Sequence, residues 1–75
     1  MKRAGTVVGT AQGVAVVRSD DDGYPAIGTP LVDENLDDVG TVVDVFGPVD
    51  RPYLAVSPDV DNPALLVGNP LYTQS

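Results

Sequence analysis

VGTVVDVFGPVDRPYLAV, residues Val39 to Val56, is two apolar runs joined by a short, stiff connector. Val39 to Phe46 is dominated by β-branched residues, which favour a pleated strand over a helix. Tyr53 to Val56 is the second apolar run. Between them lies Gly47-Pro48-Val49-Asp50-Arg51-Pro52. Pro48 and Pro52 fix φ and carry no backbone donor, so neither suits the middle of a paired strand. Gly47 can take the dihedrals of a sharp exit. The stretch therefore predicts strand, constrained loop, strand.

Outward from it the same pattern repeats. Arg3 to Ala11 and Gly13 to Arg18 are β-rich and flank the turn signal Gln12-Gly13, which predicts a hairpin. A polar loop follows from Ser19 to Pro25. Pro30 argues against a central strand, so a short edge-like strand is expected around Leu31 and Val32. Asp33 to Asp38 is an acidic turn. Ser57 to Pro63 reads as a loop. Ala64 to Thr73 reads as a last strand interrupted near Gly68-Asn69-Pro70, with room for one helical turn near Asn62 to Leu65. No helical period is sustained. Short strands separated by turn residues predict one all-β domain over residues 1–75, a small barrel or a sandwich.

The size of the chain bears on that choice. With 75 residues only about 60% of the unfolded surface is buried, so the core is modest. The chain has no cysteine and no histidine, hence no disulfide and no structural zinc site. Closing a barrel leaves no unpaired edge and stabilises so short a chain. No apolar run approaches the roughly 20 residues of a membrane helix, and no apolar core follows Met1-Lys2-Arg3. A soluble, cytoplasmic protein is expected.

Eleven acidic residues face four basic ones, for a net charge of −7, and Lys2 is the single lysine. Such a balance fits docking on a basic partner, or a salt-loaded cytoplasm in which high net charge keeps proteins soluble. The acids are scattered through all the loops, which favours a trait of the whole surface.

Chemistry has little to stand on. Without His or Cys the usual acid–base and thiol groups are missing. Asp20-Asp21-Asp22-Gly23 invites a calcium reading. Placing Gly23 at the glycine of an EF-hand loop, however, puts Arg18 and Thr29 where that loop carries its acidic end ligands. Gly5, Gly9 and Gly13 lack the lysine and helix start of a phosphate loop. No enzyme, cofactor, metal or small-molecule substrate is expected. Phosphate binding leans on Lys and Arg, and only Lys2, Arg3, Arg18 and Arg51 are present. Arg51, in the connector, suits either a partner contact or a weak surface salt bridge to an aspartate. Tyr53 and Tyr72 suit an interface rim or simple packing.

Side chains alternate faces along a strand. If Asp44 faces water, since an unpaired buried carboxylate is costly, then Val42 and Phe46 share its outer face as an apolar contact surface. A bulge near Gly47 that turned Phe46 inward would make it core instead.

Val39-Gly40-Thr41-Val42-Val43-Asp44-Val45-Phe46-Gly47-Pro48-Val49, followed by Pro52-Tyr53 and Val56, resembles the signature of the Gar/Naf family, small β-barrel subunits of H/ACA guide ribonucleoproteins. Lys2-Arg3-Ala4-Gly5 looks like that family's opening strand, Ile27 to Asp33 like the segment before the signature, and Val67 to Tyr72 like its closing strand. The resemblance implies a closed six-stranded barrel akin to a translation-factor domain. It also implies a non-catalytic subunit that binds the particle's pseudouridine synthase and helps substrate RNA load and leave in rRNA pseudouridylation. Guide and substrate RNA are then met mainly indirectly, since no glycine-arginine-rich tail follows Ser75. Thr41 stands where the family commonly has lysine. The expected partner surface is Gly40, Val42, Phe46, Gly47, Pro48, Arg51, Pro52 and Tyr53. PRC-barrel adaptors, with a similar Gly-x-Val-x-Asp strand, are the alternative.

Overall fold

The computed structural model describes residues 2–20 and 23–74. The strands are β1 (Lys2–Ala11), β2 (Val14–Ser19), β3 (Pro30–Val32), β4 (Asp38–Phe46), β5 (Tyr53–Pro58) and β6 (Pro70–Thr73), with a 3-10 turn at Pro63–Leu66. They form a closed barrel in the order β1-β2-β5-β4-β3-β6, with every neighbouring pair antiparallel.

Turn chemistry and bulges account for the closure. Gln12 and Gly13 both have positive φ, 51° and 85°. That is the primed turn whose twist matches the strands it joins. β1 shifts register between Arg3 and Gly5 against β6, and between Val7 and Gly9 against β2. These bulges bend one strand enough to serve both neighbours. β3 pairs with β4 on one side and reaches β6 through Val32 opposite Tyr72. The edge expected at Pro30 is thus a narrow seam in a closed wall.

The core is a cluster of small aliphatic side chains. Ala15, Val17, Leu31, Val42, Leu54, Val56 and Leu71 are fully buried, with Ala4, Val7 and Val39 beside them. The partly buried Val45 and Leu66 pack against the cluster. Burial of each valine or leucine contributes about 1.5–3 kcal/mol against chain entropy.

Three expectations are corrected. Val42 does not share the outer face with Phe46; it is fully buried. The reason is a bulge at Val43. Val42 pairs with Val56 and Asp44 with Ala55, so Val43 is the extra residue. The bulge resets the alternation and leaves Val42 inside while Asp44 and Phe46 are exposed. Ala64 to Val67 is the 3-10 turn and its exit rather than strand, and β5 runs on to Pro58. Asp21 and Asp22, central to the calcium reading, lie outside the described residues.

Candidate partner-docking surface

The connector is built from both sides. Phe46 and Tyr53 are the last pair of the β4–β5 ladder, and their rings stack with centroids 5.6 Å apart and an interplanar angle of 21°. Gly47 follows with φ 91°, where a side chain is strained, and a Cβ there would sit 3.0 Å from the Tyr53 ring. Tyr53 pairs with Arg18 of β2. The Arg18 guanidinium lies 5.3 Å from the Tyr53 ring centroid, a cation–π distance, and its Nη1 donates to Tyr53 Oη at 3.2 Å. Phe46, Tyr53 and Arg18 therefore form one row across β4, β5 and β2.

Ser19 anchors the other end of the connector. It is 1% exposed, and each of its polar atoms is used on residues 51 and 52. Its backbone N–H donates to Pro52 O at 3.0 Å. Its Oγ donates to the same carbonyl at 2.6 Å. Its own carbonyl accepts from Arg51 Nε at 3.1 Å. Among the described residues Arg51 forms no salt bridge to an aspartate and instead pins the connector to β2. Ser19→Ala is expected to leave Pro52 O with one buried donor fewer and to cost about 1–2 kcal/mol. The loss should read out in urea melts. A melt matching wild type would show that the connector does not depend on this anchor.

From Phe46 to Val49 what remains outward is apolar. Val49 is 90% exposed and Phe46 45%, with Gly47 and Pro48 exposed between them. Across from them the 23–29 loop contributes Tyr24, also exposed. Tyr24, Val45, Phe46, Pro48, Val49 and Pro52 line a groove of about 190 Å³. Asp44 and Asp50 are exposed beside it. A groove lined by apolar and aromatic side chains with carboxylates beside it has the anatomy of a protein-binding patch.

The structure gathers part of the expected surface here. Phe46, Gly47, Pro48 and the largely buried Pro52 line the groove; Tyr53 and Arg51 do not line it but support it, Tyr53 by stacking on Phe46 and Arg51 by bonding to Ser19. Gly40 and Val42 are buried and lie away from the groove. Gly40 lies against β5, Val42 is core, and Pro52 holds the connector through its carbonyl. Sequence reading missed Tyr24, Val49, Arg18 and Ser19. Val49 was legible as an apolar residue between two prolines. Ser19 carried no local signal, because its role depends on the β2–β5 register. A second exposed apolar group, Val8, Leu65 and Val67, lies near the 3-10 turn, where Gly68 N–H donates to Val7 O.

A protein-family model described as the Gar1/Naf1 RNA binding region matches residues 1–75. No curated protein matches the chain.

Proposed function

This chain belongs to the Gar1/Naf1 family, a family of non-catalytic accessory proteins associated with H/ACA ribonucleoproteins, and from that membership we propose that it seats its connector on the particle's pseudouridine synthase subunit. In that role it assists substrate RNA to load and leave during rRNA pseudouridylation, and acts on guide and substrate RNA mainly through the enzyme. The matched family is the first of the two resemblances in the sequence. The observation that carries the proposal is the connector itself, exposed and apolar outside, yet held by Ser19, Arg18 and the Phe46–Tyr53 stack. Such preorganisation lowers the entropy lost on docking. No helix of the described residues is long and apolar enough to cross a membrane, and a cytoplasmic location belongs to the same proposal. The test is co-elution of the purified chain with the synthase subunit at high salt. A complex is expected; separate elution of two folded proteins would sink the assignment.

The proposal extends to a salt-rich, archaeal cytoplasm. Asp20, Glu34, Asp37, Asp38, Asp44, Asp50, Asp59 and Asp61 are all exposed and sit in loops or at strand ends and edges all round the barrel. At about 1 M salt the screening length falls to near 3 Å, so repulsion among them weakens and stability should rise. The melting temperature is expected to climb steadily with KCl. A flat profile into the molar range would contradict this reading.

A further inference from the structure

The scatter of acids has one gap. Residues 4–17 and 62–74 carry none of the eleven acidic and four basic residues. The chain as a whole is 20% charged, so two bare stretches of this length depart from its average composition. The fold brings them together. β1 pairs with β6, Thr6 opposite Pro70. Gly68 N–H donates to Val7 O at 2.7 Å, and Val7 N–H donates to Asn69 O at 3.0 Å. The 3-10 turn lies against β1 and β2.

What this region shows to solvent is apolar. Val7 and Gly9 pair with Val17 and Val16, so Val8 is an extra residue in β1. That bulge keeps Val7 in the core and turns Val8 outward. In the 3-10 turn Leu66 packs inward, while Leu65 is 76% exposed and Val67 exposed after it. Ala11, Gln12, Ala64 and Asn69 are exposed along the same segments. Acids begin only at the border. Asp61 precedes the turn, and Asp33 and Glu34 line a groove with Asn69 and Pro70. The other exposed apolar side chains have charged company. Leu36 stands among acids and Val43 beside Asp44, and the loop of Ile27 lies against Lys2 and Arg3.

Single exposed apolar residues need no explanation, but a contiguous patch on a charged surface marks a contact. A charged group docked there would lose water and meet no opposite charge, which is costly. The occupant must therefore present an uncharged apolar face of its own. Among the described residues, the face that meets this requirement is the patch itself. We infer that it is covered by a second copy of the chain, in a two-fold dimer built on Val8, Leu65 and Val67, because a two-fold axis apposes one patch with its own duplicate. A standard interface takes about 800 Å² from each partner. A patch centred on three exposed aliphatic side chains falls short of that, so association is weak and depends on concentration. The border acids of one copy face those of the other, and salt removes that repulsion. The connector is not involved. β2 runs from this region at Val14 to the connector anchor at Ser19, roughly 17 Å at the rise of a strand.

The test is sedimentation velocity of the purified chain up to roughly 300 µM, at KCl concentrations where circular dichroism shows the folded barrel. A monomer–dimer equilibrium is expected, with a dissociation constant that falls by about tenfold between about 0.2 M and about 2 M KCl. Leu65→Asp should stay monomeric throughout. Ile27→Asp adds the same charge to another exposed apolar residue, on the loop that bonds to β4 through Gly28, across the barrel from β1. It should dimerise as wild type does. A wild type that remains monomeric at the highest salt and concentration, or a dimer that weakens as salt rises, would overturn the inference. So would dimerisation of Leu65→Asp at the wild-type level, or equal losses in both variants. Loss of synthase co-elution in Leu65→Asp would also overturn it, since the face would then belong to the synthase. No connector residue takes part, so the dimer stands or falls separately from the connector assignment.

Discussion

Replacing Gly40 with alanine is expected to remove much or all of the barrel's stability. A Cβ at that position would lie 2.3 Å from Ser57 O, 2.9 Å from Val56 Cγ1 and 3.0 Å from Pro58 Cα. Two of those atoms are backbone of β5, with which Gly40 is paired opposite Pro58. They can yield only if the β4–β5 ladder opens. Overpacking a core with a methyl group typically costs about 1–3 kcal/mol, and more where the obstacle is main chain. A domain of this length holds only roughly 4–11 kcal/mol in all, at about 0.05–0.15 kcal/mol per residue. Gly9→Ala is the control, because nothing lies within 4 Å of a Cβ there. Urea melts of the two variants should differ widely. Coincident midpoints would show that β4 and β5 are not apposed as described.

Val49→Asp combined with Phe46→Ala is expected to abolish docking while leaving the fold intact. Val49 is 90% exposed, so a carboxylate there meets water in the free protein. Phe46→Ala forfeits the stack on Tyr53, about 0.5–1.5 kcal/mol, which the core can absorb. In the complex the same changes put a charge and a cavity at the centre of the interface. Central hot spots are worth about 2 kcal/mol or more each, so affinity for the synthase should fall by more than about thirtyfold. Leu65→Asp places an equal charge on an exposed leucine near the 3-10 turn (76% exposed) and should bind normally. Undiminished binding by the connector variant would remove the case for this surface.

Much of this was readable from the chain because local chemistry and global fold agree. Gln12-Gly13 can only turn, Pro48 and Pro52 can only bracket a loop, and the valine-rich runs between such signals become strands. Six strand segments follow from these runs; the choice of a closed barrel over a sandwich came with the family resemblance. What stayed hidden depends on pairing across the barrel. Nothing in Val42-Val43 marks a bulge, since either valine suits either face; the β5 register decides which is extra. Strict alternation therefore put Val42 outside. Residues 64–67 are apolar enough for a strand, yet Asn62-Pro63 starts a 3-10 turn and Leu66 packs on the core. The groove was half legible. Its connector wall lies in one contiguous stretch, whereas Tyr24 arrives from a loop more than twenty residues away in sequence. Ser19 looks like an ordinary loop serine until β2 and β5 are placed side by side.

Amide hydrogen exchange on the barrel, free and with the pseudouridine synthase subunit, tests the central claim most directly. The connector should gain protection from Phe46 to Tyr53, excepting the two prolines, together with the amide of Tyr24 across the groove. The acidic end, from Asp33 to Asp38, should exchange as in the free protein. Protection confined to that acidic end or to the 3-10 turn, with the connector unchanged, would contradict the account.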